Sequence, residues 1–187
     1  MAKTLTATDR KALIRLASTM LKGSPERRAI LAGLKKASGK SNIPGKHILD
    51  KARVIDNAVV SGKAQVSGNA VVYARAVVRG NAIVKDKAHV LDNAHVSGDA
   101  QVSGDAGVFG NAWVYGKAQV SGDAIVYSKA EVSGKARVEG KAEVSGKARV
   151  EGNAVIGGTA VILGGRWDGS EGPIIEGTWK SPTERIR

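Results

Sequence analysis

Residues 96–125 read VSGDAQ VSGDAG VFGNAW VYGKAQ VSGDAI, five copies of one six-residue pattern. The same spacing runs without insertion or deletion from Ile48 to Trp167, which makes twenty consecutive hexads. Val or Ile fills every first position and Ala fills the fifth position of all hexads but the last, which has Arg166. These two positions are expected to face inward from a short strand. Such strict internal repetition is typical of a solenoid, not of an ordinary globular domain.

The third and fourth positions of each hexad carry the residues of a tight corner. Gly fills the third position fourteen times, and Asn, Asp or Lys usually follows it. Gly and Asp tolerate the positive φ angles that such a corner needs. Each hexad is therefore predicted to form one short strand and one turn, with parallel strands of successive coils about 4.8 Å apart. Four third positions carry Asp instead: Asp50, Asp56, Asp86 and Asp92.

The outward positions, the second and the sixth, indicate how many hexads complete one coil. Taking every third hexad gathers apolar residues onto one face, whereas taking every second hexad mixes them with Ser and Arg. Eighteen residues per coil are therefore predicted, which gives a three-sided prism of nearly seven coils. The outward apolar residues of that face, called the apolar strip below, are Ile55, Val71, Tyr73, Leu91, Phe109, Ile125, Tyr127, Val161 and Leu163.

The V-x-G-N-A-x hexads resemble the hexapeptide-repeat left-handed β-helix family over residues 48–167. The resemblance implies an all-β solenoid with left-handed coiling, although the general crossover preference of parallel strands favours the opposite hand. Exposed on a single chain, the apolar strip would form a patch large enough to mark a binding surface. We therefore expect the strip to be the interface of a homo-oligomer, and the resemblance implies a trimer.

Residues 1–40 lack the repeat and are predicted to form a basic α-helical hairpin. Apolar residues recur at helical spacing over residues 8–21, and Ser24 with Pro25 starts a second helix that runs to about residue 37. Residues 41–47 are interpreted as a linker. Residues 1–53 hold thirteen Lys or Arg against three Asp or Glu, a charge of +10, whereas the remaining 134 residues hold sixteen against fourteen, or +2. The basic side chains expected to dock a partner are Arg10, Lys11, Arg15, Arg27, Arg28, Lys35 and Lys36.

Several roles are open for this leader. It could cap the first coil, dock onto an acidic protein surface, or bind nucleic acid by neutralising phosphates. Nucleic acid is the less favoured partner because no aromatic residue precedes Tyr73 to stack on bases. The segment also resembles leaders of phage-type virion structural proteins, which implies attachment to a capsid or tail.

The sequence shows no catalytic constellation, and we expect neither a cofactor nor a metal. Many members of the hexapeptide family are acyltransferases with a His as general base, and such an enzyme with a site between subunits is the alternative function. Here His47 lies in the linker, while His89 and His95 occupy sixth positions of successive hexads and so belong to different faces. Solvated or interface histidines are the favoured interpretation.

Composition limits the remaining possibilities. The chain has no Cys, which excludes disulfides and thiolate metal sites, and it shows neither a secretion signal nor an apolar membrane-spanning run. Residues 168–187 are expected to cap the final coil. Together these features predict a non-enzymatic structural protein of the cytoplasm or a virion, a rigid homo-oligomer attached to a larger assembly through its basic leader.

Overall fold

The computed structural model describes residues 47–186, so the predicted helical leader lies outside the described residues. Hexad after hexad forms a two-residue strand made of the sixth position and the following first position. The strands are β1 Arg53–Val54, β2 Val59–Val60, β3 Gln65–Val66, β4 Val71–Val72, β5 Val77–Val78, β6 Ile83–Val84, β7 His89–Val90, β8 His95–Val96, β9 Gln101–Val102, β10 Gly107–Val108, β11 Trp113–Val114, β12 Gln119–Val120, β13 Ile125–Val126, β14 Glu131–Val132, β15 Arg137–Val138, β16 Glu143–Val144, β17 Arg149–Val150, β18 Val155–Ile156, β19 Val161–Ile162, β20 Arg166–Trp167, β21 Thr178–Ser181 and β22 Glu184–Ile186.

Three sheets form because each strand from β1 to β17 pairs in parallel with the third strand along the chain. The first face has the order β1-β4-β7-β10-β13-β16-β19-β21-β22, the second β2-β5-β8-β11-β14-β17-β20, and the third β18-β15-β12-β9-β6-β3. Val54 pairs with Val72, eighteen residues on. The prediction of a three-sided parallel solenoid of about seven eighteen-residue coils is therefore confirmed. The left hand of the coil stays a prediction.

The interior is a stack of Val or Ile from the first position and Ala from the fifth. From Val66 to Val150 these side chains are fully buried. Backbone hydrogen bonds join each coil to the next at three points of a hexad, as in Gln65 N–H to Ala82 O at 2.9 Å and Ser67 N–H to Val84 O at 2.9 Å. Because strands β1 to β16 each pair with a strand eighteen residues further on, equivalent positions of these coils lie directly above one another.

From Asp50 to Gly158 the corner residues at the third position take positive φ angles, as predicted. Gly104 has φ 70°, and a Cβ added there would lie 2.8 Å from the carbonyl oxygen of Gly122 in the next coil. Asp86 and Asp92 adopt φ of 63° and 60°. Their carboxylates accept hydrogen bonds from the backbone N–H of Gly104 and Gly110, each at 3.1 Å. Asp therefore offsets the cost of an unusual φ with a bond to the coil above.

The last coil differs from the expected hexad register. Arg149 pairs with Arg166 and Val150 with Trp167, an offset of seventeen residues, not eighteen. Trp167 consequently takes an inward site and is fully buried, with its Nε1–H donating to the carbonyl oxygen of Gly164 at 2.8 Å. Arg166, expected at an inward fifth position, is exposed instead. The large indole fills the end of the core, which a charged Arg could not do without a partner.

Residues 168–186 extend the first face beyond the last coil. Strand β21 pairs parallel with β19, and β22 pairs antiparallel with β21. Trp179 packs edge-on against Trp167 with ring centroids 5.9 Å apart, and the Arg185 guanidinium lies 5.5 Å from the Trp179 ring. The chain after the repeat thus covers the core end with aromatic rings. Within residues 47–186 no helix has the length and apolarity needed to cross a membrane.

We predict that Gly104→Ala destabilises the protein more than Gly172→Ala. Both residues have positive φ, but a methyl group at Gly172 would meet nothing within 4 Å. The expected losses in free energy of unfolding are about 1 kcal/mol for Gly172→Ala and roughly 2–4 kcal/mol for Gly104→Ala, measured by urea denaturation. Equal losses would show that backbone strain alone, and not the close approach of coils, requires Gly in this corner.

Candidate functional site

The apolar strip lies on the first face in the predicted register. Val71, His89, Gly107 and Ile125 follow one another along β4, β7, β10 and β13. Their neighbours at second positions complete a continuous vertical row. The alignment that the sequence predicted is therefore confirmed, and it follows directly from the eighteen-residue coil.

Most of the strip is buried in the single chain, whereas the sequence analysis expected it to be exposed, and its role as an oligomer interface stays a prediction. Val71 and Phe109 are 0% exposed, although both stand at outward positions. Val59, the same residue type at the same hexad position on the second face, is 45% exposed. An outward side chain loses all contact with water only when something lies over it, so the first face is a covered face. The strip residues that form this buried cluster are Ile55, Val71, Tyr73, Leu91, Phe109, Ile125 and Tyr127, whereas Val161 and Leu163 are partly exposed.

The hydroxyl groups of Tyr73 and Tyr127 on the first face have carboxylate partners in this buried setting. Burial raises the pKa of Tyr73 to about 12. The nearby Asp56 carboxylate adds to this effect, because it is negatively charged and accepts a hydrogen bond from the Tyr73 hydroxyl. Burial also raises the pKa of Glu143, against the effect of a hydrogen bond from Tyr127. The rings of Phe109 and Tyr127 stack with centroids 5.5 Å apart. Each tyrosine hydroxyl thus forms a hydrogen bond with a carboxylate, while the aromatic ring packs within the apolar strip.

His89 belongs to the covered face and is almost fully buried. Burial lowers its pKa to about 4, and the charge of Arg53 adds to this effect while Asp105 opposes it. The imidazole is therefore neutral at pH 7 and a weak base. A general base must lie within hydrogen-bond distance of the proton that it abstracts, and the buried imidazole of His89 is separated from any acyl donor in solution.

The second face carries a surface of exposed apolar and aromatic residues that the sequence analysis did not single out. Trp113 and Tyr115 are 42% and 37% exposed. His95 stacks on Trp113 with ring centroids 4.6 Å apart and planes 17° apart. Partial burial lowers the pKa of His95, with a further contribution from Arg79. Taking every third hexad of the sequence does group these apolar and aromatic residues on one face. The grouping was not recognised as a surface, because Ser and Arg residues stand between them. The aromatic surface, as it is called below, comprises Val59, Val77, His95, Trp113 and Tyr115.

The last coils of the second face carry two ion pairs. Glu131 and Arg149, one coil apart, form an ion pair with 3.8 Å between Oε2 and Nε. Glu151 and Arg166 form another one coil further on. In the later coils of the second face, beside the aromatic surface, each Arg charge is thus neutralised by a Glu.

The histidines do not assemble into a common centre. His89 and His95 lie on the first and second faces, as predicted, and His47 places its Nδ1 2.9 Å from the carbonyl oxygen of Ala64. No group of three His, Asp or Glu residues within residues 47–186 is placed to hold a metal ion. A depression beside the C-terminal strands is lined by Gly177, Thr178, Thr183, Arg185 and Ile186, which include no carboxylate or imidazole for acid–base chemistry. The basic residues predicted to dock a partner lie outside the described residues.

These features define the class as a parallel β-solenoid with one covered, one aromatic and one largely polar face. Residues 64–80 and 100–116 match the family described as the YdcK Beta solenoid repeat. The two segments start 36 residues apart, which is two coils, so both present the same part of the coil. This similarity supports a β-solenoid repeat. No curated protein and no solved structure matches the chain.

We predict that His89→Leu reduces the loss of stability on acidification. The folded-state pKa of about 4 lies below the ordinary value of 6.5, so the unfolded chain binds the proton first. The contribution of neutral His89 is complete above pH 6.5 and is lost as the pH falls towards 4. At pH 5 the loss amounts to about 2 kcal/mol.

Urea denaturation at pH 7.5, 6 and 5 checks this expectation. The wild-type protein should lose about 2 kcal/mol more over this range than His89→Leu. His95→Leu serves as the control, since it leaves His89 in place and should keep most of the decline. If the wild-type protein and His89→Leu show the same pH dependence, His89 is not a buried neutral base.

Proposed function

We propose that the protein is a non-enzymatic structural protein, a rigid homo-oligomer whose copies meet through the aromatic surface and which joins a larger assembly through its basic leader. The observation that carries this proposal is the exposure of Trp113 and Tyr115 on a flat sheet face. Trp and Tyr are enriched at the centres of protein interfaces, where they supply most of the binding energy.

The solenoid itself supports a structural role. Its coils are joined by hydrogen bonds at every hexad, and the distance from β1 to β19 is six strand spacings, or about 29 Å. Residues 48–163 keep the coil without a projecting loop. A body of this kind holds side chains on its faces at fixed positions, which suits repeated contact between copies.

The distribution of chemistry over the faces favours the second face as the contact. The first face is covered, and the third carries mainly polar outward residues such as Gln65, Gln101 and Gln119, all exposed. On the second face, Val59, Val77, His95 and Trp113 follow one another at consecutive coils. A three-fold arrangement, which the hexapeptide resemblance implies, would bring three such faces together with like positions at the same height.

The leader supports attachment to a further component. Residues 1–53 carry +10 of the net charge of +12. A positive charge of this size attracts an acidic protein surface, which is therefore the partner that we propose for the leader. The proposal that this component belongs to a virion is supported by the resemblance of the leader and of the A-x-V-x-G-N repeats to phage-type proteins.

The test is the mass of the particle. Light scattering on the purified full chain should give a multiple of 19.4 kDa, and Trp113→Ser with Tyr115→Ser should give a single copy because the interface loses its aromatic anchors. Gln101→Ser with Gln119→Ser removes two outward side chains from the third face and serves as the matched control, which should keep the wild-type mass. A wild-type protein that is a single copy, or a double aromatic variant with unchanged mass, would contradict the proposal.

A further inference from the structure

The aromatic surface occupies the first four coils of the second face, on strands β2, β5, β8 and β11. Val59, Val77, His95 and Trp113 pair in register from each strand to the next, and Tyr115 lies two residues beyond Trp113 on the same face. The surface ends there, because the coils that follow carry the ion pairs of the second face. Its midpoint therefore lies between β5 and β8.

The charge of the second face changes sign at this midpoint. Residues 74–81, which contain β5 and the corners on either side of it, hold two Arg and no acidic residue, a charge of +2. Residues 92–99, one coil further on, hold two Asp and no Lys or Arg, a charge of −2. These are called the basic segment and the acidic segment below, and their charged residues are Arg75, Arg79, Asp92 and Asp99. The neighbouring segments are weakly charged, since residues 56–63 carry 0 and residues 110–117 carry +1.

We propose that a second copy of the chain packs antiparallel on the aromatic surface, about a two-fold axis that runs along the strands between β5 and β8. The proposal rests on the contact between copies proposed above and adds its geometry. Rotation about this axis brings the two second faces together, reverses the direction of the coils and keeps equivalent hexad positions opposite each other. Val77 then lies opposite His95 of the partner subunit, and Val59 opposite Trp113 of the partner subunit.

The charges of the two copies are complementary in this arrangement. The basic segment of each copy lies opposite the acidic segment of the other, so the attraction occurs twice. Arg79 is exposed and belongs to none of the ion pairs within residues 47–186. It would lie opposite Ser97 of the partner subunit, two residues before Asp99 of the partner subunit. In its own chain the exposed Asp99 accepts a hydrogen bond from the neutral amide of Asn81 at 2.8 Å, which leaves its charge available.

Other arrangements of the same faces oppose like charges. Parallel packing, including the three-fold arrangement that the hexapeptide resemblance implies, brings each coil opposite the same coil of its neighbour. The basic segments would then meet each other, and so would the acidic segments, which is unfavourable across an interface. An antiparallel pair centred on Trp113 would place the basic segment opposite residues 146–153, which carry +1. The axis between β5 and β8 instead combines contact along the whole aromatic surface with opposite charges.

Reversal of single charges tests the arrangement in the full chain. Arg79→Glu and Asp99→Arg each place like charges opposite each other at two symmetric points, so each should raise the Kd of the pair about 10- to 30-fold in analytical ultracentrifugation. The double variant Arg79→Glu with Asp99→Arg should return the Kd to near the wild-type value, because opposite charges face each other again. In parallel packing neither single reversal would weaken the contact, since like charges already meet there.

The control for these variants is Lys85→Glu, the same change of charge on the exposed third face, which should keep the wild-type Kd. The wild-type particle should have twice the mass of 19.4 kDa. A particle of three copies, single variants that behave like the control, or a double variant that stays weak would overturn the antiparallel arrangement alone. A wild-type chain that is a single copy would overturn the contact through the aromatic surface as well.

A cross-linking measurement decides the arrangement if the charge variants unfold. The chain has no Cys, so an introduced thiol is the only one present. In the antiparallel pair the two copies of Ser97 are one strand spacing apart in height, about 5 Å, whereas those of Ser61 are three spacings apart, about 14 Å. A short bismaleimide should therefore join Ser97→Cys chains at least 10-fold faster than Ser61→Cys chains, after division by their rates with a monofunctional maleimide. Equal corrected rates would place equivalent residues at the same height and overturn the proposal.

Discussion

The backbone hydrogen bonds between coils are the constraint on which the rest of the structure depends. Lys63, Gln65 and Ser67 each donate an N–H to the coil above, at distances of 2.7–2.9 Å, and the pattern repeats through the solenoid. Coils of equal length keep this pattern in register, since an added residue would turn inward positions outward. This requirement accounts for the strict hexads, for Gly at corners where successive backbones nearly touch, and for Asp where its carboxylate reaches the next corner amide.

The same constraint explains why so much of the fold could be predicted from the sequence. Inward and outward positions follow from the six-residue repeat, and the number of sides follows from the eighteen-residue grouping of outward residues. The prediction fails locally at Trp167, where the coil shortens by one residue. There the indole of Trp167 is buried at the end of the core, and the six-residue repeat does not predict this change of register.

The candidate site was less predictable, because exposure of an outward residue does not depend on its hexad. Val59 and Val71 occupy equivalent positions with similar neighbours in sequence, yet one is exposed and the other buried. The difference arises from what lies opposite each face, which is a long-range property. Sequence grouping therefore placed the apolar strip on one face correctly, and the role of that strip as the interface of a homo-oligomer stays a prediction. It also passed over the aromatic surface, where a few large residues stand among small polar ones.

Stacking in register gives each face a chemical character that is uniform over several coils, and this has a functional consequence. A substitution at one outward position changes the surface of one coil on one face and leaves the core unchanged. Successive coils can therefore carry apolar, aromatic or charged residues on one face independently of the other two faces. The ion pair of Glu131 with Arg149 and the stacked rings of His95 and Trp113 are two such ladder contacts on the same face. The three faces of the prism thus have the same backbone structure but different side chains on their surfaces. One face is suited to hold a covering layer and another to meet a partner, while the hydrogen-bonded core beneath them stays the same.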